Sequence, residues 1–122
     1  MDQRQILYGI LKNKGKSMYK EFFAYAQKRG VDESVRFLEN LTNVVRWSQR
    51  PISGLSQGVY ATFVKEGSFW EVNLPHDIKM QIKGSVDEGM EPDWGPAAEN
   101  IEHLLITNNV VRDWLMERKQ KA

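Results

Sequence analysis

The side chains that could support catalysis at neutral pH are few and dispersed. His76 and His103 are the two histidines, and they fall on different predicted helices. A base–nucleophile pair between a histidine and Ser53, Ser56 or Ser68 stays open as an alternative, but no serine stands in a nucleophile-elbow context. The sequence has no cysteine, which excludes thiol nucleophiles and cysteine-based zinc sites. This pattern favours a binding module over an enzyme.

Signals for cofactors, substrates and nucleic acids are also missing from the sequence. No glycine-rich loop precedes a basic residue and a hydroxyl, so nothing indicates direct binding of a nucleotide or another small-molecule substrate, and no cofactor is implied. The acidic pairs Asp32-Glu33 and Asp87-Glu88 lie at a predicted helix start and in a predicted loop, where the helix dipole and solvation explain them. A net charge of +1 gives no general attraction to nucleic acid or to an anionic membrane. We therefore predict no nucleic-acid partner.

The length of 122 residues fits one compact domain over residues 1–122, which we expect to be a fragment of a longer protein. Apolar residues make up 41% of the chain and charged residues 27%, as in soluble globular proteins. No apolar run approaches the roughly 20 residues of a membrane span. The first residues, Met1–Arg4, lack the apolar region of a signal peptide. We expect a cytoplasmic protein.

Helical periodicity runs through the first part of the chain. Asp2 and Gln5 have the spacing of a capping box and predict the start of a first helix. Ser17 and Asp32 are the predicted caps of a second and a third helix, and Gly30 is predicted to end the second. The predicted apolar faces are Ile6, Leu7, Ile10 and Leu11 in the first helix, Met18, Phe22, Phe23, Tyr25 and Ala26 in the second, and Val35, Leu38, Leu41 and Val45 in the third, with Trp47 near its end.

The period of residues 59–64 is ambiguous, because this apolar run also suits a strand. We predict a helix, since the sequence holds no second strand-like run that could pair with it. Ser53 is its predicted cap and Gly67 its predicted end, with Leu55, Val59 and Phe63 on one side.

The remainder of the chain is predicted to be helical on either side of one loop. Pro75 suits the first turn of a helix that runs to Gly84, and residues 87–94 are predicted to form a surface loop. Gly95-Pro96 predicts a further helix, and Asn108-Asn109 predicts a break before the last one. These patterns predict an all-α bundle of seven to nine short helices. The apolar faces are Ile78 and Ile82, then Ile101, Leu104 and Leu105, then Val110, Val111, Trp114 and Leu115.

The order of these segments resembles that of RGS domains, the regulators of G-protein signalling. The resemblance covers residues 6–116, and it depends on the order and spacing of short pieces. The pieces are Leu11–Gly15 with Tyr19–Phe23, Asp32–Leu38 (similar to "EENIxFW"), Tyr60–Val64 with Glu71–Pro75 (similar to "IYxxFI…VNL"), Trp94–Leu105 (similar to "FDxAQxxIxxLM") and Val111–Leu115 (similar to "YxRFL").

The resemblance implies an RGS-like bundle of about nine helices and a regulatory function. RGS domains bind the active or transition-state form of a heterotrimeric G-protein α subunit, and they accelerate its GTP hydrolysis by holding its switch segments. Membrane contact would then be only indirect, through recruitment to the inner face of the plasma membrane by other domains or by the G protein. The α-subunit contacts implied by the resemblance are Asn73, Asp32, Glu33, Ser34, Leu104, Asn109, Val110, Arg112 and Asp113.

Asn73 is the most informative of these residues, because it matches the family's asparagine that reaches the catalytic glutamine of the α subunit. A carboxamide can both donate and accept hydrogen bonds, so it can pair with that glutamine and with backbone. The alternative is that Asn73 caps the helix begun by Pro75 or stabilises the turn before it.

Two departures from the family pattern favour a second hypothesis, an RGS-homology scaffold without GTPase-accelerating activity. Ser34 replaces the asparagine of "EEN", and Asp32 could serve only as a helix cap. Asp113 stands at the place of a family arginine if one residue is inserted before it, which reverses a charge, whereas a shift of register would place Arg112 there.

Overall fold

The chain is all-helical in the part that the computed structural model describes, residues 2–13, 16–43, 52 and 54–121. Those residues contain seven α-helices, one π-helical turn and no strand. The prediction of helix over residues 59–64 is therefore confirmed. The helices are α1 (Gln3–Lys12), α2 (Ser17–Arg29), α3 (Asp32–Asn43), α4 (Gly54–Val59), α5 (His76–Asp87), α6 (Gly95–Thr107) and α7 (Val110–Lys121), and the π-helical turn, Tyr60–Val64, continues α4.

Two predicted helix ends are present and two predicted caps are not. Asp2 and Gln5 form the capping box, with each side chain accepting a hydrogen bond from the other's backbone N–H. Gly30 ends α2 in the left-handed conformation with φ 71°. Ser17 and Asp32 are instead the first helical residues of α2 and α3, so the prediction that they are caps is wrong.

Five helices, α1, α2, α3, α6 and α7, pack together around the main core. Phe22 of α2 meets Trp114 of α7 edge to face, with ring centroids 5.0 Å apart. The predicted faces of α1, α3, α6 and α7 are buried or half-buried where the structure describes them, whereas Met18 of α2 is 43% exposed and its neighbour Tyr19 is buried. Val45, Trp47 and Ser53 lie outside the described residues.

The second group of elements, α4, the π-helical turn and α5, joins the main core through aromatic side chains. Phe37 of α3 contacts Phe63 of the π-helical turn, at 5.6 Å between ring centroids, and Trp94 before α6, at 6.1 Å. Val59 and Phe63 are buried as predicted, but Leu55 is 58% exposed. Phe37 thus lies at the junction of the two groups.

The connections around α5 differ from the prediction in three ways. Pro75 directly precedes the helix, and α5 continues past Gly84 to Asp87. Residues 87–94 are only partly a surface loop, because Glu91, Pro92 and Trp94 are buried. The carboxylate of Glu91 accepts a hydrogen bond from the hydroxyl of Ser56, which fixes this connection to α4.

Candidate functional site

Asn73 lies exposed at the tip of a tight backbone turn. The N–H of Leu74 donates to the carbonyl of Val72 at 3.0 Å, an i to i+2 hydrogen bond that makes Asn73 the central residue of an inverse γ-turn. Val72 is 1% exposed and Leu74 is 6% exposed, so both neighbours anchor the turn in the core. Within the part of the chain that the structure describes, the side chain of Asn73 makes no hydrogen bond, and α5 has no side-chain cap. The carboxamide is accordingly available to solvent.

The connecting segment, residues 65–75, is held to α5 by Glu71. One carboxylate oxygen of Glu71 accepts from Lys79 of α5, and the other accepts from the backbone N–H of Gly67 at 3.1 Å. The hydrogen bond from Lys79, followed by that from Gly67, lowers the pKa of Glu71 below its ordinary value. Glu71 therefore holds the segment that carries Asn73 in its turn conformation.

The same segment is held to α2 and α3 by a stacked arginine. The guanidinium of Arg36 lies over the ring of Trp70 at 4.7 Å and over the ring of Phe23 at 5.0 Å. Arg36 lies on α3 one turn after Asp32 and Glu33. This contact places the connecting segment beside the helix that carries the second predicted contact sequence.

Arg29 joins the end of α2 to the turn between α6 and α7 and to the start of α7. Its guanidinium donates to the Tyr25 hydroxyl at 2.8 Å, to the Asp113 carboxylate at 3.2 Å and to the backbone carbonyl of Asn108 at 3.2 Å. The hydrogen bond to Tyr25 and that to Asp113 raise the pKa of Arg29. One side chain of α2 thus holds the third predicted contact sequence, while the second begins three residues after Arg29 in the chain.

Asn109 forms the turn between α6 and α7 with a positive φ of 61°. Its N–H donates to the carbonyl of Ile106, and its carbonyl accepts from the N–H of Asp113 at 2.9 Å. Asparagine is one of the few residues besides glycine that adopt this left-handed conformation readily. The left-handed backbone conformation therefore explains why residue 109 is an asparagine.

Arg112 and Asp113 differ in how they are held. Asp113 is half-buried and paired with Arg29, while Arg112 is 54% exposed in its side chain and reaches Asp113 at 3.3 Å. The carboxylate of Asp113 therefore has a partner within the chain. Of the two registers left open by the sequence, the one that uses Arg112 offers a partner the more accessible side chain.

The remaining predicted contacts separate by burial. Asp32, Glu33 and Leu104 are half-buried at the surface. Ser34 is 8% exposed and Val110 is 1% exposed, so these two side chains belong to the interior. Contacts of a partner with the side chains of Ser34 and Val110 are not available in this structure, and we remove both from the candidate surface.

Sequence reasoning missed Arg29, Arg36 and Phe69. The two arginines act through long-range contacts to other elements, and no local pattern signals such contacts. Phe69 is 91% exposed beside Trp70, with ring centroids 5.3 Å apart. No signal in the sequence indicated this exposure, since apolar side chains usually lie inside. These residues add two guanidinium groups and an exposed aromatic ring to the side chains predicted from the sequence.

Comparisons with known proteins give a limited result. No protein-family model matches the chain, and no solved structure matches it significantly. A curated protein from Dictyostelium discoideum, described as a probable inactive serine/threonine-protein kinase roco10, is 29% identical over an alignment of 84 positions that covers 64% of this chain and 3% of that protein. The chain thus corresponds to a small part of a much longer relative.

The α-helices of the described residues are between 6 and 13 residues long. None of those helices is both long enough and apolar enough to cross a membrane.

Proposed function

We propose that this chain is an RGS-homology domain that binds the active α subunit of a heterotrimeric G protein and accelerates its GTP hydrolysis. In this proposal the seven described helices and the π-helical turn belong to an RGS-like bundle of about nine helices. The domain acts in the cytoplasm and reaches the inner face of the plasma membrane only through the G protein or through other domains.

The observation that carries the proposal is the presentation of Asn73. Its carboxamide is exposed between two buried neighbours, on a turn that Glu71 and Trp70 hold in place. A helix-capping asparagine would instead have its side chain bonded to the first turn of α5, which has no side-chain cap. The geometry supports a role for Asn73 in contact with a partner.

The mechanism is preorganisation of groups that the α subunit already has. A GTPase of this class supplies its own water-orienting glutamine and its own arginine, so the regulator needs to fix mobile switch segments in the reactive arrangement. A carboxamide can hydrogen-bond both the glutamine side chain and the backbone around it. Each tenfold gain in rate requires only about 1.4 kcal/mol, so a few such contacts suffice.

The surface around Asn73 supports this mechanism because its parts are held by hydrogen bonds and ring stacking. Arg29 joins the end of α2 to the α6–α7 turn, and Arg36 lies over Trp70 in the segment that carries Asn73. Asp32, Glu33, Leu104, Asn109, Arg112 and Asp113 remain the other candidate contacts. A surface fixed in advance loses little conformational entropy on binding.

Single-turnover GTP hydrolysis by purified α subunits, measured with and without this protein, tests the proposal. We expect acceleration, and we expect Asn73→Ala to remove most of it while the melting temperature stays within experimental error. The matched control is Gln81→Ala, which truncates an exposed carboxamide on α5 and is expected to leave acceleration unchanged. No acceleration of a panel of α subunits, together with no binding to their aluminium-fluoride forms, would overturn the proposal for those partners.

A second candidate function is a scaffold with the same fold and no GTPase-accelerating activity. The internal pairing of Asp113 with Arg29 favours it, because a charge held within the chain is less available to a partner. The burial of Ser34 and Val110 also favours it, since both side chains are withdrawn from the surface. The likeness to a short stretch of a long, probably inactive kinase suits a module that serves interactions within or between large proteins. Binding to an aluminium-fluoride α subunit without acceleration of hydrolysis is the result that would favour this candidate.

A further inference from the structure

A groove with a volume of about 380 Å³ lies between α3, α4 and the connecting segment. Its apolar wall comes from Leu55, Val59, Phe63 and Trp70, and Asn40 and Thr62 add polar groups. A volume of this size falls within the range of clefts that bind ligands in proteins.

Arg36 supplies the single formal charge among the described residues that line this groove. Its guanidinium lies over the rings of both Phe23 and Trp70, at 5.0 and 4.7 Å from the ring centroids, and these contacts hold the group in place. Within the described ranges no carboxylate forms an ion pair with Arg36, and Glu39, one turn further along α3, is buried and accepts from Asn40 at 3.3 Å. The N–H groups of Arg36 are therefore oriented in advance and lack an acceptor from this part of the chain.

The floor of the groove is open backbone. Gly54 and Gly58 are four residues apart on α4, which places them on the same face of the helix, and both line the groove. A Cβ atom added at either position would meet nothing within 4 Å. Glycines at such positions let the main chain of a ligand approach closely.

From these observations we infer that the groove binds an extended peptide segment of a partner protein, in which apolar side chains flank one acidic residue. The carboxylate of that residue pairs bidentately with Arg36, the apolar side chains cover Leu55 and Trp70, and the peptide backbone passes over Gly54 and Gly58. Charge complementarity selects this occupant, because Arg36 is the one charged residue among the described residues that line the groove and has no ion pair with any other described residue. The inference does not depend on binding to a G protein.

The first test measures binding of the purified protein to two immobilised libraries of short peptides. In one library a fixed Asp or Glu is flanked by random apolar residues, and in the other Asn or Gln replaces the acid. We expect binding to the acidic library to be about tenfold stronger, since a hydrogen bond between charged groups contributes more than one between neutral groups. Equal binding to the two libraries would overturn the inference.

Variants locate the binding within the groove. Arg36→Gln is expected to remove the preference for the acidic library, and Arg36→Lys to retain only part of it, because lysine lacks the planar fork of donors. Gly58→Leu fills the groove and is expected to abolish binding. The matched control is Gly84→Leu, the same substitution on α5 at a position whose added Cβ also meets nothing within 4 Å.

Thermal melting of each variant shows whether it is folded. If the leucine variant does not fold, Gly58→Ala places a smaller side chain in the groove. Undiminished peptide binding by a folded Gly58→Leu variant would overturn the location of the site in this groove.

Two further measurements distinguish other occupants of the groove. Self-association of the free protein in sedimentation velocity, if Gly58→Leu abolishes it, would identify a second copy as the occupant and contradict the proposal. Equal competition by inorganic phosphate and by the acidic peptides would reduce the site to a simple anion site and would also contradict it.

Discussion

Asn73 and Asn109 are the same residue type in the candidate surface, yet they are held in opposite ways. Asn73 has an exposed side chain on a turn whose hydrogen bond is formed by its neighbours. Asn109 has a left-handed backbone that forms the junction of two helices. Substitutions of Asn73 should therefore act through the loss of its side chain. Substitutions of Asn109 should act through its backbone conformation.

Substitution of Asn109 tests the role of its backbone conformation. We expect Asn109→Val to lower the free energy of unfolding by about 1–2 kcal/mol, since a β-branched residue is strained at positive φ. Asn109→Gly is expected to be close to neutral, because glycine adopts this conformation without strain. Urea denaturation measures both effects, with Asn108→Val as the control at a neighbouring φ of −83°. Equal losses for the two valine variants would contradict this explanation of Asn109.

At the scale of helices and connections, the contact between α2 and the α6–α7 turn depends on Arg29. Its hydrogen bonds to Asp113 and to the Asn108 carbonyl join elements that are far apart in sequence. Both side chains of the Arg29–Asp113 pair are 35% exposed, so solvent screens the pair and its contribution to stability is modest.

A double-mutant cycle with Arg29→Gln and Asp113→Asn measures this contact. We expect a coupling energy of about 0.2–1 kcal/mol in low salt, and a smaller value at high ionic strength. The Lys83–Asp87 pair, within α5, is the control for a purely local ion pair. A coupling energy of zero for Arg29 and Asp113 at every salt concentration would show that the pair does not hold α2 to the α6–α7 turn.

The attachment of the connecting segment to α5 is expected to depend on pH through Glu71. Its pKa is lowered in the folded protein, so the ionised form is favoured by folding and the stabilisation is fully present above the ordinary pKa of 4.5. The stabilisation is lost as pH falls through the lower folded pKa. Glu71→Gln should therefore make the stability less dependent on pH in this acidic range, by a few tenths of a kcal/mol given the exposure of the pair.

Chemical denaturation at a series of pH values checks this expectation. Glu66→Gln is the matched control, because Glu66 is exposed in the same segment and forms no ion pair with a described residue. An identical change of pH dependence in the two variants would show that the effect comes from overall charge and not from the Glu71–Lys79 contact.

Features set by residues that are close in sequence were predicted correctly, whereas features set by contacts between residues far apart in sequence were not. The capping box of Asp2 and the left-handed Gly30 are set by a few consecutive residues, and both were predicted correctly. The burial of Glu91 depends on Ser56, and the position of Asp113 depends on Arg29, two contacts that local pattern does not encode. The exposure of Asn73 was predicted from a family resemblance, and its physical reason became visible only in the burial of Val72 and Leu74.

At the scale of the whole molecule, the two groups of helices meet at Phe37. Its ring is fully buried and contacts Phe63 on one side and Trp94 on the other. Phe63 also accepts, through its carbonyl, the backbone hydrogen bond of Val72 next to Asn73. The position of the candidate surface thus depends on the junction of the two groups.

Truncation of Phe37 should destabilise the whole molecule and not one group alone. We expect Phe37→Ala to lower the free energy of unfolding by about 3–5 kcal/mol, because the loss of apolar contacts and the cavity that is left both destabilise the folded state. This is a large part of the roughly 5–15 kcal/mol that stabilises a typical domain. Phe69→Ala, the same chemical change at a side chain that is 91% exposed, is the control and should alter stability by less than about 0.5 kcal/mol.

Native-state hydrogen exchange of Phe37→Ala tests whether the two groups of helices share one core. If they do, the protection of backbone amides should be reduced equally in α3 and in α5, because both helices unfold in one transition. Loss of protection in α4 and α5 with unchanged protection in α1 and α6 would show instead that the two groups unfold separately.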